Sequence, residues 1–268
     1  MTVAEAEAQR IRSVAALLRE AERPVRILRT VAWDESVRER FFADGERELP
    51  RPRYEPLDPS RTLAIVDDAK RLAPGAGPID RWLCATADDI AHGARMLAAV
   101  GTAALTPHSI ELYGAPTTLL ADQSSTSLEL AAQLEETLRA ASDLQLGGPL
   151  ALLDAEQVAE RLRRAVGRHF GAAAPSVVVV EHLSANALAG PGAIRVRAGA
   201  RFSDRDAQQL IQHEAFIHIA TSLNGRTQTA LPILAASHPS TTRTQEGLAV
   251  FAEFITGTIE PERLLRLA

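Results

Sequence analysis

The sequence predicts an α+β protein, predominantly helical, with a small antiparallel sheet packed beside one of its helices. Three observations carry that prediction. Apolar residues recur at helical spacing along most of the chain between Val3 and Phe170, and again after Ser203. The texture changes at Pro175, where a β-branched run and then an alternating run read as strands. Finally, His213, Glu214 and His218 stand close together on one helical stretch.

The elements follow in order. Over Val3 to Glu22, Ile11, Val14, Leu17 and Leu18 form one stripe of an amphipathic helix. A second helix is expected over Glu35 to Ala43. Pro50 to Pro59, interleaved with Arg51, Arg53 and Glu55, reads either as a linker or as a chain crossing a domain surface. Taking it as the boundary divides the chain into an N-terminal helical segment, 1–56, and a larger domain, 57–268. Further helices are expected at Ser60–Leu72, Ile79–Val100, Ser125–Ala141 and Asp154–Phe170, the last with Asp154 as N-cap. The stretch from Pro74 to Pro78 is a turn; its GxG follows a helix and lacks a third glycine, so it is no dinucleotide loop.

Ser176 to Val180 reads as a mostly buried strand, Gly190-Pro191-Gly192 as a turn, and Ala193 to Arg197 as a half-exposed strand. That strand could hold an extended peptide at a free edge, or the sheet could simply brace a helix. Ser203 with Asp206 forms a capping pattern for a helix that Asn224-Gly225 should stop. A last helix is expected from near Thr242 to Gly257.

Composition narrows the function classes. The chain has 268 residues, long enough for a substantial core, and 46% of them are hydrophobic, which excludes wholesale disorder. A net charge of −5 argues against a general nucleic-acid binder. The single cysteine, Cys84, excludes disulfide frameworks and paired-cysteine metal sites, and among Trp82, Leu83 and Ala85 it reads as a small core residue. Of 29 basic residues only Lys70 is a lysine, so no P-loop is present. No apolar run is long enough for a membrane span, and the acidic, alanine-rich start is unlike a secretory signal, so a cytoplasmic location is expected. No GxSxG occurs, which leaves an α/β-hydrolase without support.

His213-Glu214-Ala215-Phe216-Ile217-His218 carries the chemistry. In zinc hydrolases two imidazoles on one helix bind the metal and an adjacent glutamate polarises water. The spacing here is HExxxH, one residue longer than the familiar motif. On an α-helix, residues five apart diverge by about 140°, against about 40° for residues four apart. A π-turn, with its i→i+5 bond, would return both imidazoles to one face, so a helix distortion is expected between His213 and His218. The rival reading is two unrelated histidines, one buried and one exposed.

A catalytic zinc takes three protein ligands and keeps one position open. Downstream, Thr244-Gln245-Glu246-Gly247-Leu248-Ala249 places Glu246 in the first turn of the last helix, as a candidate third ligand. Glu253, seven residues on, shares its face and either holds a ligand imidazole in its tautomer or makes a helix-face ion pair. His238, on the loop between the motif helices, is either an alternative ligand or transition-state donor, or simply exposed. His92, His108, His169 and His182 have no partner at informative spacing.

HExxxH followed some thirty residues later by QEGLA resembles the bacterial "flavohemoglobin expression-modulating QEGLA motif" proteins, which are related to the eukaryotic microtubule-associated tyrosine carboxypeptidases. Ser109 to Gly114, Asn224-Gly225-Arg226 and Val250 to Glu253 agree as well. The resemblance covers roughly residues 57–268. It implies a zincin-like metallopeptidase in which His213, His218 and Glu246 bind zinc and Glu214 is the general base. Members of that group continue well beyond the QEGLA helix, so a chain stopping at Ala268 is expected to be a fragment or a short form. Nothing in the residues implies tubulin as substrate.

The function expected is therefore a zinc-dependent peptidase, of carboxypeptidase type, acting on a peptide or protein C-terminus, without nucleic-acid or membrane partners. Such an enzyme needs a cation for the terminal carboxylate, and an arginine fork suits it. Arg226 and Arg243 flank the motifs and are the candidates; the competing reading is solvated surface arginines. The alternative function is a metal-holding regulatory or interaction protein without turnover.

Overall fold

The computed structural model describes residues 2–75, 77–142, 152–183, 185–190, 192–236 and 238–267. Ala76, Pro191 and Ala268, which fall in the two expected turns and at the chain end, lie outside them. The described residues form two compact units: Met1–Gly114 with Gly225–Arg243, and Ala115–Asn224 with Thr244–Ala268.

The first unit is helical. It contains α1 (Val3–Glu22), α2 (Ile27–Val31), α3 (Glu35–Ala43), α4 (Ser60–Leu72), α5 (Pro78–Ala98) and α6 (Leu105–Tyr113). α1 begins where the Thr2 hydroxyl accepts the Glu5 N–H while Glu5 accepts the Thr2 N–H, a reciprocal cap that satisfies two orphan donors. Of its predicted stripe, Val14 and Leu18 are buried, with Ile11 and Leu17 packed at the margin. They meet Val66 and Ala69 of α4 and Leu83, Ile90 and Leu97 of α5. The half-buried Cys84 thiol donates to the Ala73 carbonyl, in keeping with a small core residue.

The proline-rich stretch crosses this unit's surface. The Leu57 N–H donates to the Leu97 carbonyl at 3.2 Å, and Trp33 Nε1 donates to the Tyr54 hydroxyl. Because α1 packs on α4 and α5, both sides of that stretch share one core, and the units part at Gly114, Gly225 and Arg243 instead.

The second unit contains α7 (Ser127–Ser142), α8 (Ala155–Phe170), β1 (Ser176–Val180), β2 (Ala187–Ala189), β3 (Ala193–Arg197), α9 (Asp204–Leu210), a π-helix (Ile211–Ile219) and α12 (Pro261–Leu267). Two more helices, α10 (Ala220–Thr227) and α11 (Pro239–Ile255), run across the limits of the units. Asp154 caps α8 as its sequence implied, accepting the Gln157 N–H.

The sheet is mixed, which corrects the antiparallel expectation. Its order is β1-β3-β2, with β1 parallel to β3 and β2 antiparallel to it. After β1 the chain passes to the far edge, forms the three-residue β2, and returns as β3 between the two. Ala193–Arg197 is therefore the central strand and not an edge, although it is half-exposed as expected, with Arg195 on its open face. Its alternation buries Ile194 and Val196 completely against Val158 and Leu162 of α8. β2 escaped notice because three residues are too few for a period-two pattern.

Two helix limits also differ. Gly225 does not stop a helix, since α10 continues to Thr227. A Cβ there would lie 2.2 Å from the Leu234 carbonyl oxygen, so the glycine permits a close backbone approach. α11 starts at Pro239, ahead of Thr242, because proline suits a first helical turn. It ends at Ile255, and Gly257 turns the chain at φ +66°. No helix among the described residues is long and apolar enough to cross a membrane.

Candidate functional site

One continuous helical run, from Asp204 to Thr227, carries the HExxxH segment. It opens with the Ser203 and Asp206 cap, whose two hydrogen bonds are both present. It is α-helical to Leu210, π-helical from Ile211 to Ile219, then α-helical again. The distortion that the five-residue spacing requires is thus present, nine residues long. Its consequence is direct: the rings of His213 and His218 lie 4.8 Å apart, centroid to centroid. Phe216, on the same segment, packs against His169 and Phe170 of α8.

α11 supplies the carboxylates. Glu246 lies about two turns into that helix, not in its first turn, since the helix begins earlier than expected. Its Oε2 is 3.5 Å from His213 Nε2, and its Oε1 is 3.4 Å from His218 Nε2. His213, His218 and Glu246 each offer one donor atom, and those atoms lie within 4.8 Å of one another. Donors about 2.0–2.1 Å from one tetrahedral ion sit about 3.3–3.4 Å apart, so a group spanning up to 4.8 Å would have to draw together around an ion. His213 is buried, His218 partly so, and Glu246 exposed, so the group opens toward solvent on one side. Two neutral-capable imidazoles and a carboxylate are a donor set that suits zinc.

Glu253, one heptad beyond Glu246, is fully buried. Its Oε1 accepts His213 Nδ1–H at 2.6 Å and Gln209 Nε2 at 2.7 Å, and Arg263 donates to both oxygens at 3.2 Å. The bond to Nδ1 leaves His213 Nε2 as the ring nitrogen facing Glu246. His218 Nδ1 in turn donates to Gln245 Oε1 at 3.4 Å. Glu214 is buried beside the sheet, and its Oε2 accepts the Ala189 N–H of β2 at 2.7 Å.

These contacts set the protonation of the metal-free protein. Burial pulls His213 down, but bonds to Glu246 and Glu253 outweigh it and hold the imidazole at about 9. Burial pushes Glu253 up, and His213, Arg263 and Gln209 overcome that to hold it at about 2. The bond from His213 lowers Glu246. Glu214 is raised, because burial exceeds the pull of His213 and the Ala189 N–H. A buried carboxyl raised in this way is suited to taking up and returning a proton.

Of the other candidates, Arg226, in α10, and Arg243, in α11, belong to the first unit. His238 also belongs to the first unit; it is buried, not exposed, with Nδ1 3.9 Å from Asp89. Gln209, Arg263 and the Ala189 N–H were missed. Gln209 is four residues before His213 on the same helix, a spacing that could have exposed it. A backbone donor on a three-residue strand leaves no trace in the sequence, and Arg263 is separated from its partner by a turn.

No curated protein and no solved structure matches the chain. A family model does: that of the microtubule-associated tyrosine carboxypeptidases, over residues 39–268. The match starts ahead of residue 57, runs through the proline-rich stretch and includes both motif helices. The family is one of carboxypeptidases, which supports peptidase activity on a protein or peptide substrate. With most of its length matched, the chain belongs to the microtubule-associated tyrosine carboxypeptidase family.

Proposed function

We propose that the protein is a zinc-dependent carboxypeptidase. The observation that carries this reading is the convergence of His213, His218 and Glu246 on one point beside the buried Glu214. His213, His218 and Glu246 would hold the ion. When bound, zinc supplies a more acidic water and a polarised substrate carbonyl.

The chain's own residues do the rest. Glu253 holds His213 as the Nδ1–H tautomer, which presents Nε2. The Ala189 N–H restrains Glu214 through Oε2 and leaves Oε1 to accept a proton from the attacking water. The raised Glu214 carboxyl then holds that proton and returns it to the departing amine.

Peptides ending in tyrosine are the first substrates to try, because the family's description names that residue. Zinc content and hydrolysis are measured together for the wild type and Glu214→Gln. The variant should keep about one zinc per chain and lose about 10²–10⁴-fold in kcat. C-terminal amidation of the peptide should abolish cleavage. A wild type that holds zinc but cleaves nothing would favour a metal-holding role without turnover; one that binds no zinc would overturn the reading.

A further inference from the structure

Glu253 is engaged through both its main chain and its side chain. Its carbonyl accepts the Thr258 N–H at 2.9 Å, the Ile259 N–H at 3.3 Å and the Thr258 hydroxyl at 3.1 Å. Those bonds close α11 and turn the chain so that α12 comes within reach. Arg205 of α9 meets Glu260, just before α12, at 3.3 Å. One turn later Arg263 puts Nε on Glu253 Oε2 and Nη2 on Oε1.

A glutamate has three side-chain torsions, and one hydrogen bond to a histidine does not fix the plane of its carboxylate. A guanidinium fork that engages both oxygens does fix that plane. With it fixed, Oε1 can meet His213 Nδ1 in one direction only. The imidazole is then aimed so that Nε2 faces Glu246. α12 contains no buried residue among those described, so Arg263 is not there to hold a packed core element in place.

We propose that Arg263 is a positioning residue for His213, acting through Glu253 to aim the ring nitrogen that would face zinc. The inference rests on the zinc reading above. Gln209 supports the same oxygen from the helix of His213 itself, one turn before it. Arg263 differs in engaging both oxygens and in arriving from a separate helix.

The test uses the full chain, stripped of metal, and measures zinc affinity by competition with a chromophoric chelator. Wild type, Arg263→Ala, Arg263→Met and Arg263→Lys are compared, with His218→Ala as a control that removes a ligand. Arg263→Ala should weaken zinc binding by about 10–100-fold and alter the visible absorption bands of the cobalt-substituted protein. Arg263→Met should behave like alanine. Arg263→Lys should recover part of the affinity, since an ammonium reaches one oxygen but cannot hold two in a plane. Thermal unfolding of the metal-free Arg263→Ala and Arg263→Met variants should come at lower temperature, because the buried Glu253 loses its arginine, and zinc affinity is compared at a temperature where every variant is folded.

Unchanged zinc affinity and cobalt bands in Arg263→Ala would overturn this inference alone. Loss of the fold in both Arg263→Ala and Arg263→Met would overturn it in favour of a structural role. A wild type that takes up no zinc would overturn the metal reading itself, and is seen before any variant is made.

Discussion

His213 and His238 are buried histidines, one in each unit, and their surroundings push them in opposite directions. His213 has Glu253 at 2.6 Å and Glu246 at 3.5 Å, and is held at about 9 in the metal-free protein. Around His238 burial dominates, opposed by the more distant Asp89, and the imidazole is pushed below its ordinary value. Burial alone therefore does not decide a histidine's charge; the number and distance of its carboxylates do. The carboxylates of the two units differ in the same way. In the first unit, Glu22 is closed off by Arg19 and Arg26, and Asp80 by Arg10. In the second, Glu253 divides its carboxylate between an arginine and a histidine whose other nitrogen is left facing Glu246. The first arrangement neutralises a buried charge, whereas the second also holds a histidine by one ring nitrogen.

Core truncation should give the largest effect on this contrast. Leu97 and Ile194 are fully buried, one in each unit's core. Replacing either with alanine should cost about 2–5 kcal/mol. Hydrogen exchange read helix by helix should show protection lost in the unit that carries the variant. Equal loss in both units would show that they unfold as one.

pH comes next. His213 is raised from an ordinary value of 6.5 to about 9, so its contribution is complete below about 6.5 and is lost as pH rises through about 9. By linkage that contribution is on the order of 3 kcal/mol. His238 is lowered, so the unfolded chain binds its proton more readily and stability falls as pH drops below 6.5. In the metal-free protein, ring resonances followed by NMR should show His213 titrating in the alkaline range and His238 only in acid. Coincident titration near 6.5 would break the comparison.

Metal addition gives a somewhat smaller effect. Zinc at a hundred times its dissociation constant should stabilise the protein by about 2.7 kcal/mol. Amides of the π-helix and α11 should gain protection most, and those of α5 least if the units open separately. His218→Ala should remove most of that gain.

Much of this architecture was legible in residue order, for reasons that are local. The limits of α1, α3 and α4 follow from caps and apolar stripes, which act within a few residues. Asp154 and Ser203 cap the helices they precede, because a short polar side chain can reach its own first turn. The π-helix was legible too, from a single count: two imidazoles five residues apart share a face only if the helix widens. Tertiary structure decided what depends on partners distant in sequence. It placed β3 between β1 and β2, whereas the alternation of Ala193–Arg197 shows only that one face is buried. It made Gly225 a point of contact with Leu234 instead of a helix stop. It buried His238, which the loop around it did not suggest. Above all, it gave Glu253 its four donors. Residue order puts Glu253 on the face of Glu246, but a carboxylate's orientation is set by what surrounds it. Gln209 and His213 reach it from one helical run and Arg263 from α12.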